Sequence, residues 1–286
     1  EDPGGGAGGA VGAPGLVGYI EGMSKKQEPG GYTAYNAQAI DRWVAEGWEW
    51  GRPITREAFA RAKAGDWQVL LTPNIPVPRA WLGDLKGKRV LGLASGGAQQ
   101  MPVFAALGAV CTVFDLSDSQ LASERMVALR EGYDIDIVKG DMTRPFPFAD
   151  GSFDLIFHPV ANCYVREVQP VWEECARVLK PGGSLLSGLD NGMGFLFDDG
   201  GLTVKHPLPH DDLRDPDWET KVKDYNDSLQ FSHPIEVQIG GQLRAGLMLK
   251  DVYEDTTNEG PLRDYNVPCF FATWAVKPMN GGQSNE

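Results

Sequence analysis

The sequence lacks the features that would mark a membrane, extracellular or nucleic-acid-binding protein. No apolar run approaches the roughly 18–20 residues that a bilayer-spanning helix needs, and no charged start leads into an apolar stretch resembling a secretory leader. The four cysteines, Cys111, Cys163, Cys175 and Cys269, form neither a CxxC pair nor a Cys/His spacing, so no zinc motif or disulfide framework is indicated and all four read as reduced. Basic residues are few: 26 Lys+Arg face 39 Asp+Glu, and the net charge of −13 repels phosphate backbones and anionic lipid. No repeat recurs along the chain. The expectation is a soluble cytoplasmic protein with neither nucleic-acid nor membrane partners; oligomeric state is not encoded in any pattern we find.

What is present suits a packed fold, with 42% hydrophobic and 23% charged residues over 286 positions. Residues 1–23 are mostly Gly, Ala, Pro and Val and read as a flexible tail; the chain opens on Glu1, and Met23-Ser24-Lys25-Lys26 looks like a natural start. Residues 24–80 read as a helical cap. Ala39, Ile40, Trp43 and Val44 recur at helical spacing, and Thr55 and Gly65 signal the N-cap and stop of a second helix before Pro73, Pro76 and Pro78 make an extended connection.

From about residue 81 to 280 the pattern becomes that of an α/β domain. Short β-rich runs at Val90 to Ala94, Val110 to Phe114, Ile135 to Val138, Asp154 to His158 and Ser184 to Leu189 alternate with helical segments. Before the fifth run, Val171, Cys175, Val178 and Leu179 share one helix face, with Pro170 in the first turn and Pro181-Gly182-Gly183 as the expected stop. Regularity then fails over about 191–233, a long acidic, Pro-rich insertion that reads as a lid and carries His206, His210 and His233 as expected surface histidines. A helix over Ile235 to Leu243, weakened by Gly240-Gly241, and final strands at Leu249 to Glu254 and Phe270 to Val276 close the chain.

The chemistry gathers at strand ends. Arg89 to Gln100 runs from strand through Ala94-Ser95-Gly96-Gly97-Ala98 into a helix, and small residues there let a ligand approach the backbone and the positive helix end. Asp115 closes the second strand about 20 residues on, where a carboxylate reaches ribose hydroxyls in Rossmann-type units. The competing reading, that Asp115 caps the next helix, is weakened because Ser117 and Gln120 already spell a capping box. His158, Asn162 and Tyr164 follow the fourth strand and are the polar candidates for catalysis. Asp198, Asp199, Asp211 and Asp212 have no recognised metal-ligand spacing and read as solvated charge, so no metal is expected.

With those pieces in order, the chain resembles the S-adenosylmethionine-dependent class I methyltransferases of the type 11 group, in the bacterial branch with a Leu-Ala-Ser-Gly-Gly turn. The resemblance runs from about residue 36 to 278 through Leu93 to Gly97, Val113 to Asp115, Gly140 to Met142, Ser152 to Ile156, His158 to Val160 and Arg177 to Gly183. It implies a Rossmann-like fold with a mostly parallel seven-stranded sheet, its last strand antiparallel, and helices on both faces. It also implies that Ala94, Ser95, Gly96 and Gly97 cradle the methionine part of S-adenosylmethionine, Asp115 binds the ribose, and Asp141 and Met142 border the adenine. Trp50, Gln100, Leu116, Gly140, His158 and Val160 complete the contacts it implies. Met142 as plain core and Asp141 as a turn starter stand as ordinary readings beside these. The chain departs from the family pattern where Gly92 replaces an acidic residue, and where Ala94 and Ala98 replace the first and third glycines.

Three functions fit this reading. The first is methyl transfer to a small-molecule acceptor, yielding S-adenosylhomocysteine, in which alignment of donor and acceptor can supply about 7–11 kcal/mol of barrier reduction. The second is a catalytically silent S-adenosylmethionine-binding protein, motivated by Ala98 and the lack of a clear base. The third is a NAD(P) oxidoreductase, disfavoured because the turn after the first strand lacks G-x-G-x-x-G and Leu179-Lys180-Pro181-Gly182-Gly183 leads into the fifth.

Overall fold

A computed structural model describes residues 31–197, 203–214, 220 and 227–279; the expected tail at 1–23, the start of the cap, and Asp198 and Asp199 lie outside the described residues. The helical preface forms as expected. Helix α1 spans Tyr32–Ala45 and α2 spans Arg56–Lys63, with the Thr55 side chain accepting from the Ala58 N–H at its N-terminus. A short helix, α3 (Arg79–Leu82), ends the extended Pro-containing connection.

Seven strands follow: β1 (Arg89–Leu93), β2 (Val110–Asp115), β3 (Ile135–Lys139), β4 (Phe153–His158), β5 (Leu179–Asp190), β6 (Met248–Asp255) and β7 (Phe270–Val276). They form one sheet in the order β3-β2-β1-β4-β5-β7-β6, parallel throughout except for β7, which runs antiparallel to both neighbours. This is the Rossmann-like class I methyltransferase architecture. The two-residue period of the strands divides the core between the faces. Leu91, Leu93, Ile156 and Leu185 pack on one side with helix α6 (Gln169–Val178), while Val90, Leu155, Phe157 and Leu186 face the preface and helix α4 (Met101–Ala106). Gly92 belongs to the second face, and an added Cβ there would stand 2.8 Å from Met101 Sδ. The space next to the missing family acid is therefore occupied by a buried methionine.

Two details differ from expectation. Helix α6 ends at Val178, and Leu179 is already extended, opening β5 rather than completing the helix face. Pro181-Gly182-Gly183 consequently does not stop the helix; it forms a bulge where the β4–β5 register jumps from Phe153↔Leu179 to Leu155↔Ser184. In the helix Ile235–Arg244, Gly241 has a packing reason: a Cβ would come 2.5 Å from Trp172 Cδ1 of α6.

The preface crosses the sheet tightly. Gly188 of β5 lies so close to the Leu71 backbone that an added methyl would overlap its carbonyl. Neither backbone can yield without disturbing a central strand, so Gly188→Ala should destabilise the fold by about 1–3 kcal/mol or more. Thermal melting checks this, at roughly 2–4 °C per kcal/mol for a protein of this size; an unchanged Tm would mean the crossing is loose.

Candidate active site

The turn after β1 is held by the protein's own groups. Ala94, Gly97 and Ala98 all have positive φ (46°, 90° and 56°), which turns the chain sharply at the strand tip. Its N–H groups are held from behind: Ala94 donates to Phe114 O, Gly96 to Asp115 Oδ2, Gly97 to Gln120 O and Ala98 to Glu124 Oε1, over 2.8–3.1 Å. The preface grips the other side, with Gln99 Nε2 donating to the carbonyls of Glu49 and Arg52, and Ile54 N donating to Ala98 O. Backbone strain at two alanines is thereby offset by fixed hydrogen bonds.

Above this turn opens a cavity of about 930 Å³ at the C-terminal ends of the parallel strands. Trp50, Ala94, Ser95, Gly96, Gln100, Asp115, Leu116, Gly140, Asp141, Met142, Val160 and Tyr164 all line it. Gly97, His158 and Asn162 do not. Ala98 is fully buried and outside the lining, so its methyl group takes no room from a ligand. The argument for a silent relative that rested on Ala98 falls with that placement.

Asp115 is 9% exposed, with Oδ2 accepting from Gly96 N and Oδ1 from Ser117 N, both at 2.9 Å. Burial raises its pKa, opposed by these N–H groups. The expected capping box is only half formed: Ser117 Oγ accepts from Gln120 N, while the Ser117 N–H goes to Asp115 and Gln120 Oε1 is buried with no partner. Asp115 thus braces the turn and faces the cavity with its remaining lone pairs. Asp141 starts a turn, accepting from Thr143 N and Oγ1 through Oδ1, and also lines the cavity. Met142 likewise lines the cavity and packs on the core.

The residues after β4 divide. His158 is 0% exposed, with Nδ1 2.9 Å from Leu93 O and Nε2 2.9 Å from Asn162 Oδ1, and burial lowers its pKa. Asn162 in turn donates to Gln238 Oε1. That chain ties β1, β4 and the helix Ile235–Arg244 together, which argues against the expected roles of His158 as base or cofactor contact and of Asn162 as catalyst. Tyr164 does reach the cavity, packed 6.3 Å from Trp43, but burial and nearby Cys163 raise its pKa well above the ordinary value, leaving a neutral hydroxyl.

The insertion corrects another expectation. His233 is buried, with Nε2 2.7 Å from Val165 O and 3.1 Å from Asn162 O, and His210 stacks on Phe195 at 4.6 Å and pairs with Asp212; only His206 is exposed. Asp211 pairs with Arg166 at 3.0 Å rather than standing in solvent. Among the described residues no cluster of three or more His, Cys, Asp or Glu could hold a metal. The four cysteines are buried and unbonded, and no described helix is long and apolar enough to cross a membrane.

Sequence reasoning missed Asn36, Thr72, Cys163, Asp190, Gln230 and Phe270 as parts of the cavity. Asp190 carried a usable signal, its position at the tip of a parallel strand. The others depend on tertiary contacts, such as Asn36 exchanging hydrogen bonds with the Leu229 backbone at 2.8 and 2.9 Å.

Electrostatics separates the nucleotide classes that a glycine turn plus acid leaves open. The lining holds five carboxylates, Glu46, Glu49, Asp115, Asp141 and Asp190, against one guanidinium, Arg52. Such a set repels a pyrophosphate and favours a sulfonium with its ammonium group. Fold and turn together define a class I S-adenosylmethionine-dependent methyltransferase.

Comparison with known proteins agrees. Residues 91–187 match the type 11 family model described as "Methyltransferase domain". The chain is 44% identical over 251 residues to the "Uncharacterized methyltransferase YbaJ" of Bacillus subtilis (strain 168), covering 85% of this chain and 98% of that protein. A demethylmenaquinone methyltransferase of Mycobacterium sp. (strain KMS) is 40% identical over 107 residues, 37% of this chain and 44% of that one. Among solved structures, an S-adenosylmethionine-dependent methyltransferase from Mesorhizobium loti superposes with a TM-score of 0.56 at 20% identity, over 70% of this chain and 95% of that chain, a likeness of fold alone. The chain belongs to this methyltransferase family. It uses S-adenosylmethionine to methylate a small-molecule acceptor.

Behind the turn, Glu124 is fully buried, with Oε1 on the Ala98 N–H and Oε2 unpartnered. Burial, then the Asp115 charge, push its pKa up to about 8, so it carries a proton at neutral pH. The folded pKa stands above the ordinary 4.5, so this contribution to stability is fully present below about pH 4.5 and is lost as pH rises through about 8. Glu124→Gln keeps an oxygen for Ala98 and cannot ionise. Its Tm relative to wild type should rise across that window and level off above it; the same Tm difference at about pH 5 and about pH 8.5 would show that Glu124 does not titrate there.

Proposed function

We propose that the cofactor lies across the tips of β1 and β2, with its ribose on Asp115, its adenine between Asp141 and Met142, its methionine end over Ala94 to Gly96, and Trp50 at its flank. The observation that carries this reading is the buried Asp115 carboxylate, whose free lone pairs open into a cavity rich in negative charge. When bound, S-adenosylmethionine supplies an electrophilic methyl group. The residues of this chain bind and align: the braced turn holds one end, Asp115 fixes the sugar, and the preface, with Phe195 and Gln230 of the insertion, excludes water. The cavity is near the top of the roughly 300–1,000 Å³ range for ligand pockets, which supports a second, acceptor compartment beside the cofactor. We assign Phe195 and Gln230, from the described parts of the insertion, to the wall of that compartment. Four unbonded cysteines are consistent with a reducing compartment, and we place the protein in the cytoplasm.

Calorimetric titration tests the assignment. Wild type should bind S-adenosylmethionine and S-adenosylhomocysteine but not NAD(P), and Asp115→Ala should weaken both by tenfold or more, about 1.4 kcal/mol. An Asp115→Ala protein that melts like wild type and keeps its affinity removes Asp115 from the ribose site. In the same titration Ala98→Gly should change affinity by no more than about twofold, since the methyl lies outside the cavity; a large gain would show that Ala98 obstructs the ligand.

A further inference from the structure

The cavity extends well past the cofactor-binding strands. In the sheet order, β1 and β4 lie between β2, which ends in Asp115, and β5, which ends in Asp190. Three strand spacings separate the two carboxylates, about 14 Å. Asp190 therefore belongs to a different compartment. Around it the lining is largely aromatic: Trp43 from α1, Tyr164 after β4, Phe195 after β5 and Phe270 at the start of β7. Such walls suit a flat, apolar ring.

Asp190 is the polar group of this compartment that can take a proton. Its Oδ1 accepts from Gly192 N at 2.6 Å, and among the described residues the second oxygen accepts no hydrogen bond. The titratable groups acting on or beside it are few. Cys163 and Tyr164 after β4 and Cys269 before β7 are all pushed upward by burial and stay neutral, and His210 faces it from the insertion, paired with Asp212 at 3.0 Å. Burial raises Asp190 itself to about 6, high for a carboxyl and suited to a group that is ionised at neutral pH yet can accept a proton.

We propose that Asp190 is the acceptor-binding general base, and that the acceptor is an aromatic ring bearing a phenolic hydroxyl seated among Trp43, Tyr164, Phe195 and Phe270. This rests on the cofactor site proposed above. The hydroxyl donates its hydrogen bond to the free Asp190 oxygen. As the acceptor oxygen bonds to the methyl carbon, the carbon–sulfur bond breaks with its electron pair left on sulfur, and the hydroxyl proton passes to Asp190, which returns it to water.

The test uses the full chain saturated with S-adenosylhomocysteine and titrated with naphthol. Wild type should bind naphthol, Asp190→Asn should lose tenfold or more of that affinity, and both should bind S-adenosylhomocysteine equally. Wild-type affinity should also rise from about pH 5 to about pH 7.5 as Asp190 ionises, and this rise should vanish in Asp190→Asn, which separates it from His210. If S-adenosylhomocysteine does not bind, the cofactor reading fails and takes the proposal with it. If it binds but naphthol does not, or naphthol is indifferent to Asp190 and to pH, only the proposal is overturned. Tighter binding of naphthylamine than of naphthol would overturn the hydroxyl assignment. Should Asp190→Asn fail to fold, the pH profile of His210→Asn decides: the rise should persist in it, and a flat profile there or in wild type is fatal.

Discussion

Two buried carboxylates hold the turn that everything else needs. A strand tip that exposes backbone to a ligand must bend the chain through positive φ and leave N–H groups to be satisfied elsewhere. In this molecule Asp115 and Glu124 accept two of them, from Gly96 and Ala98. Two such charges side by side in a low-dielectric setting would repel, and burial resolves the conflict by keeping Glu124 protonated. The partner that faces the cavity is Asp115, where it joins the other carboxylates of the lining.

That concentration of charge explains how a motif shared by several nucleotide-binding enzymes is turned to one ligand class. A glycine turn followed by an acid at the end of the second strand serves dinucleotides as well as sulfonium nucleosides. The discriminating element is the rest of the lining, where carboxylates outnumber guanidinium groups and no lysine appears. A pyrophosphate would meet repulsion, whereas a cationic cofactor meets a favourable field whose effect grows as the walls exclude water.

Legibility in the sequence followed the range of the forces involved. All seven strands and both preface helices were visible, because hydrophobic periodicity and capping are local. The bulge at Pro181-Gly182-Gly183 was not, because a helix stop and a β-bulge draw on the same residues and differ only in the register of β4 and β5. His158 looked like a base because it sits at a strand tip; its ring turns inward to Leu93 and Asn162, a direction that neighbours in space decide. His233 misled for the opposite reason, since a polar, proline-rich stretch hid its bonds to the Asn162 and Val165 carbonyls.

The two halves of the cavity differ in kind. The cofactor half is made of consecutive strand tips, so its residues lie where the topology of the sheet puts them. The half proposed for the acceptor adds to the ends of β5 and β7 the helix α1, the loop after β4, and the segments around Phe195 and Gln230, joined by side-chain pairings such as Asn36 with the Leu229 backbone and Arg166 with Asp211. Ordering such distant segments is entropically expensive, and the buried amide and the ion pair offset part of it. The proposed acceptor half thus depends on contacts between distant segments, whereas the proposed cofactor half depends on neighbouring strand tips.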